Sequence, residues 1–304
     1  MFRPASVIAA ALLSLPFPAL AQEGGPKNPL PMFDLQRLRL DPGALGSLVV
    51  GTGRTLEPGQ LRVGLNYHYE QLPLHFQTRW EPGEGTGLVE NKMTAHLTVG
   101  FGVLSWLDVG AELPFVLTQG GKPTLEYFGP KSGGLATPWL TARAALLRQS
   151  KGAPLNVAVA LTAGLPVGSR EALAHEDYAW QPRLQLGYVG EGFQLGGEAG
   201  VFLRKRQDLG PVSYDPRDVV GNELRLGATV TSLHGEMTRG EVSVISGIPL
   251  DGGRVGAELL IAIRRHALSS LDLYVMGGPG VGAGLDTPTF RFVAGLSFAT
   301  SKVD

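Results

Sequence analysis

The sequence predicts an all-β fold: a closed antiparallel transmembrane β-barrel of about twelve strands, with short periplasmic turns and longer outer loops. Three observations carry this expectation. The N-terminus reads as a secretory signal peptide, with Arg3, an apolar run from Val7 to Leu15, and a small-residue cleavage site at Ala19, Leu20 and Ala21. No later apolar stretch reaches the ~20 residues of a helical span, so entry into a membrane requires a closed barrel, the other arrangement that satisfies its own backbone. From residue 59 onward, apolar residues alternate with polar or small ones at the period of two that belongs to strands.

Composition points the same way. The chain has 43 glycines in 304 residues, about twice the usual ~7 %, which disfavours a mainly helical protein. It has no cysteine, which excludes a disulfide framework and thiolate metal sites and suits passage through an oxidising periplasm. A formal charge of -1 and a mean hydropathy of +0.08 separate it from nucleic-acid binders and helical membrane proteins.

Each strand can be justified in turn. In the first, Leu61, Val63, Leu65, Tyr67 and Tyr69 share one face, with Arg62 and His68 on the other. Next, Ala95, Leu97, Val99 and Phe101 oppose His96. After a turn at Leu104 to Trp106, Leu107, Val109, Ala111, Leu113 and Phe115 oppose Asp108 and Glu112. Leu140, Ala142, Ala144 and Leu146 oppose Arg143, and Leu155, Val157, Val159 and Leu161 oppose Asn156 and Thr162. Trp180, Leu184, Leu186 and Tyr188 oppose Arg183; Phe193, Leu195, Ala199, Val201 and Leu203 then oppose Glu198 and Arg204.

Leu224, Leu226, Ala228 and Val230 oppose Glu223 and Arg225. The segment from Glu236 to Gly247 is the weakest, with Val242 and Val244 against Glu241. Val255, Ala257, Leu259, Ile261 and Ile263 oppose Glu258 and Arg264; Leu271, Leu273 and Val275 oppose Asp272. Phe290, Phe292, Leu296 and Phe298 close the set against Arg291.

Gaps between strands alternate short and long, as in outer-membrane barrels, with long outer gaps at Gln71 to Leu88, Gln119 to Pro138, Val167 to Tyr178 and Gln207 to Asp218, while the last two outer gaps, near Pro249 to Gly252 and Gly282 to Thr287, are short. Tyr67, Tyr69, Phe115 and Trp180 fall beside long gaps, and Phe101, Tyr188, Phe193 and Phe298 beside short ones or the terminus, giving two aromatic girdles. Trp139 breaks the outward parity and is assigned to a loop. A soluble barrel or sandwich would show the same alternation with its apolar face inward. Glycines mixed with charges of both signs on the polar face favour the membrane form. The domain reading is a signal peptide over 1–21, a Pro/Gly-rich leader over 22–57 that is periplasmic or lumen-inserted, the barrel over 58–299, and a periplasmic tail over 300–304.

No catalytic motif stands out, and no cofactor or metal site is implied. His266, with Ser269 and Ser270, is placed in a periplasmic turn; His175, Glu176 and Asp177 form a charged loop apex. His68 and His96 face the lumen without a carboxylate partner in sequence. The inward charges admit two readings: a salt-bridged core that holds the barrel closed, or a polar pore that attracts ions or small solutes.

Phe33, Asp34, Gln36, Arg37, Leu38 and Pro42, the strand Leu61 to Tyr69, and the closing run from Gly280 through Asp286 to Phe292 resemble the N-terminal barrel of large OmpA-like outer-membrane proteins. The sequence runs to Asp304, so the C-terminal peptidoglycan-binding domain of those proteins is not expected to carry over. The resemblance implies an outer-membrane barrel, a porin or solute transporter, with no catalytic residues to carry over. The expected partners are outer-membrane lipid, the barrel assembly machinery reading the terminal aromatic Phe298, and a small solute; nucleic acid is not among them. The expected function is a passive pore, with a closed structural or partner-binding barrel as the alternative and an outer-membrane hydrolase third.

Overall fold

The computed structural model describes residues 32–76, 86–121, 129–209, 217–233 and 237–300. The assigned signal peptide, residues 22–31 of the leader and the tail beyond 300 lie outside these. Twelve long strands form the wall. They are β1 (Leu61–Phe76), β2 (Thr86–Leu104), β3 (Leu107–Gly120), β4 (Trp139–Leu147), β5 (Asn156–Gly164) and β6 (Ala179–Val189), then β7 (Phe193–Phe202), β8 (Glu223–Ser232), β9 (Thr238–Pro249), β10 (Gly256–Leu268), β11 (Leu271–Gly282) and β12 (Phe290–Ala299). Each is antiparallel to its sequence neighbour.

β1 pairs with β12 from Arg62 opposite Ala299 to Gln71 opposite Phe290, so the sheet closes and no edge is left unpaired. The order of turns puts the start of β1 and the end of β12 at the same, periplasmic end.

The outer surface of the wall is apolar. Leu65, Leu97, Leu113, Leu161, Leu184, Leu226, Ile261 and Leu296 all point away from the lumen and are exposed. Exposed Tyr67, Phe115 and Trp180 lie toward the outer loops, and Phe101, Trp106, Tyr188, Phe193 and Phe298 toward the turns. An isolated soluble barrel would bury these faces; here the lipid covers them. Ile261, 57 % exposed, lies near the middle of β10. Ile261→Arg is expected to cost about 2–4 kcal/mol, measured by urea unfolding from lipid vesicles, whereas Ile261→Leu should be nearly neutral.

Four sequence expectations are corrected. β1 and β2 extend well into the gap assigned to Gln71–Leu88, because Leu74, Leu88 and Val89 continue the sheet and bury against Phe33, Leu35 and Leu285. Trp139 is not a loop residue: it opens β4 and points inward, 2 % exposed. His266 belongs to β10 rather than to the turn, since it is the register partner of Asp272 and bonds to it. The segment with His175 and Glu176 is no exposed apex. It folds back into the mouth, where Glu176 is buried against Arg204 at 2.7 Å.

Candidate functional site: a lumen filled by its own leader

Residues 33–56 occupy the barrel interior. At the outer mouth Asp34 bridges Ala174, and the Leu35 N–H donates to Leu173 O at 3.0 Å. The segment leaves at the periplasmic end, where the Gly59 N–H donates to Gly102 O at 2.8 Å and the Gly102 N–H returns to Gln60 O at 2.9 Å.

A non-periodic segment inside a sheet-lined tube has no ladder of its own, so its N–H groups need other acceptors. Wall carboxylates supply them. Glu241 accepts from the Leu48 N–H at 3.1 Å and the Ser47 hydroxyl at 2.6 Å, Glu198 from the Gly51 N–H at 3.0 Å, and Asp108 from the Leu56 N–H at 2.9 Å. Leu38, Leu40, Leu48, Val49 and Val50 pack on an inward apolar patch of Leu260, Ala262, Tyr274, Met276 and Val293 from β10–β12. Burial of this kind contributes roughly 25 cal/mol per Å², which helps hold the leader against the wall.

The charges assigned to the inner face sit there and pair at three levels. Near the periplasmic end Arg62 contacts Asp272 at 2.9 Å and the Ser297 hydroxyl at 2.6 Å, Arg264 donates to Ala44 O at 3.0 Å, and Arg143 bridges Asp108 at 2.9 Å and the leader's Asp41 at 3.0 Å. Farther along the wall Arg183 lies 3.3 Å from Glu198.

Midway, Arg291, fully buried, contacts Glu70 at 2.8 Å and Glu258 at 2.9 Å. Its Nη1 lies 2.6 Å from His68 Nε2. A guanidinium only donates, so this nitrogen accepts. The other ring nitrogen, Nδ1, lies 2.8 Å from the Gln36 side-chain amide and 3.4 Å from His96 Nε2, and His96 Nδ1 in turn contacts Glu112 at 2.7 Å. The histidines therefore do have carboxylate neighbours, brought in by β1 and β3. Glu70 and Lys92, register partners and both buried, belong to this group by parity and complete it. Among the described residues no His, Cys, Asp and Glu set is arranged to hold a metal.

The outer level clasps the leader. Arg39 lies 3.8 Å from the Trp139 ring centroid, and Trp139 packs on Phe202 at 5.9 Å. Arg225 stacks on Phe202 at 3.9 Å while its Nε contacts Glu223 at 3.2 Å. Arg37 binds Asp286 at 2.7 Å. Burial opposes the charge of Arg37, but Asp286 and Glu223 outweigh it and raise its pKa. Burial likewise opposes the charge of Asp286, yet Arg37, Arg225 and Arg204 hold its carboxyl below the ordinary range. A depressed carboxylate contributes stability that is complete above its unfolded value, ~3.9, and disappears only as pH falls through the depressed one. The clasp is therefore closed throughout the neutral range.

Beside Arg37 the free volume is about 20 Å³ on one side and 40 Å³ on the other, room for one or two waters. A wider cavity of about 490 Å³ opens at the periplasmic end near Arg54, Arg148 and Asn156. Alternation reveals the wall charges and sets Trp139 off the outward parity; it gives no sign of Arg39 or of the stack with Phe202, which depends on where a non-periodic leader lies.

No protein-family model matches the sequence, and no curated protein does. Solved structures do. An outer membrane channel from Pseudomonas putida F1 superposes with a TM-score of 0.59 at 14 % identity, over 86 % of this chain and 100 % of that one. The KdgM porin gives 0.49 at 8 % identity, over 77 % and 98 %, and the NanC porin 0.49 at 12 %, over 78 % and 98 %. At such identities the likeness concerns architecture: the fold of this chain is that of outer-membrane β-barrels.

Proposed function

We propose that the protein is an outer-membrane channel for small solutes, closed in this structure by residues 33–56 and opened by their displacement. The observation that carries this reading is a lumen whose wall pairs its own charges, yet is filled by a segment held through hydrogen bonds, ion pairs and apolar contact. The signal peptide over 1–21 would direct export. The barrel assembly machinery would insert the chain from its closing strand, and the resemblance of the leader and β12 to OmpA-like barrels fits that route. No residue is assigned a catalytic role.

The densely packed interior also favours a second reading, a permanently closed structural barrel. Gly187 separates the two. It lies on the inner face of β6, and a Cβ there would overlap Thr52 O of the leader. Gly187→Val should lift the leader off the wall without touching a wall charge pair. The expected result in planar bilayers is open events at least several-fold more frequent than in wild type, together with faster thiol labelling of a cysteine placed at Thr52. Labelling without any current would favour the structural barrel.

A further inference from the structure

Every group that touches the Arg37 guanidinium belongs to the wall or to the outer loop between β11 and β12. Nη1 donates to Asp286 Oδ1 at 2.7 Å and to Thr287 Oγ1 at 2.9 Å; Nη2 donates to Gly256 O at 3.3 Å, with Glu223 Oε2 at 3.9 Å. The floor of this cradle is a glycine pair. Gly247 and Gly256 are register partners on β9 and β10; a Cβ at Gly247 would overlap Nη2, while one at Gly256 would overlap Thr287 Oγ1, itself an acceptor for Arg37, and lie 3.0 Å from Nη1. Neither glycine has the positive φ that would require it for conformation. They provide space, which the flat guanidinium fills over Gly247 and shares with the Thr287 hydroxyl over Gly256.

The charge balance of the outer mouth depends on that occupant. Glu176, Glu223 and Asp286 stand against Arg204 and Arg225, while Asp218 and Arg254 pair with each other at 3.3 Å. Asp34 and Arg39, both on the leader, pair at 3.6 Å and would leave together. Among the described residues of this buried group, three carboxylates then face two guanidiniums, and Arg37 adds the third cation. A buried carboxylate left without a partner is costly. The planar fork of donors that Arg37 presents is the geometry that carboxylates recognise best.

We propose that this cradle is a binding site for a guanidinium-bearing solute, and that Arg37 is its built-in occupant, standing in for the solute while the leader is in place. That the solute is then transported rests on the channel reading above; the binding does not.

Chemical rescue tests it. Full-length Arg37→Ala in detergent, its fold checked by heat-dependent gel mobility, is titrated with methylguanidinium by calorimetry. Binding at least tenfold tighter than to wild type and at least tenfold tighter than methylammonium is expected, and Asp286→Asn on the same background should remove the gain. Arg37→Gln, which keeps a hydrogen-bonding side chain, serves if the alanine variant does not fold. Equal binding to wild type and variant, or binding indifferent to Asp286→Asn, would overturn the proposal. Binding by a barrel that never conducts would keep the cradle and remove the channel, and conduction without binding would do the reverse.

Discussion

Deleting residues 33–56, with the segment before them joined to Glu57, should turn a closed barrel into one with stable single-channel currents. The expected increase in mean conductance over wild type is about tenfold or more, since twelve strands enclose a space that side chains alone do not fill. The wall should survive the loss. Arg143 with Asp108, Arg183 with Glu198, Arg62 with Asp272, and Arg291 with Glu70 and Glu258 are contacts of wall with wall. Water would replace the leader as partner for the carboxylates of Glu241 and Glu198. The apolar patch of Leu260, Met276 and Val293 would become wet, so the deleted form should unfold at lower denaturant concentration while keeping the same strand content by circular dichroism. A folded deletion variant that passes no more current than wild type would rule out the plugged-channel function and leave the structural barrel.

What could be read in the sequence was whatever the strand period dictates. A wall strand must alternate, so Asp108 and Arg143 could be placed inward on neighbouring strands, and the structure has them 2.9 Å apart. The same parity puts Glu70 inward, and extended toward the start of the second strand it picks out Lys92 as well. The leader offered no such handle: Phe33 to Leu56 has neither the period of a strand nor that of a helix, and its path is set by scattered wall acceptors. Trp139 was misplaced for a related reason. The inner face was expected to be polar, whereas an aromatic ring there is the seat for Arg39. Outer loops that fold back into the mouth, such as the one carrying Glu176, defeat any rule that equates loop with surface.

Arg291 is where removal of a single side chain should cost the barrel most. It joins three strands that are not all adjacent, contacting Glu258 on β10 and Glu70 on β1 from its own place on β12. All three side chains are essentially inaccessible. Arg291→Met would leave Glu70 and Glu258 without the guanidinium that bridges them, with Lys92 as the one cation this group retains. The expected loss is about 3–5 kcal/mol, the range for breaking a buried ion pair from one side. Arg148→Met provides the contrast, because its partner Glu57 is 65 % exposed and such a pair contributes ~0–1 kcal/mol. Arg291→Lys keeps the charge but loses the fork that reaches both carboxylates, so it should fall between the two. In urea titrations, Arg291→Met combined with Glu258→Gln should lose less than the sum of the single variants, because the second change removes one of the stranded charges. Strict additivity would mean that the carboxylates are neutralised by Lys92 or by water, and that Arg291 packs the lumen without holding its charge together.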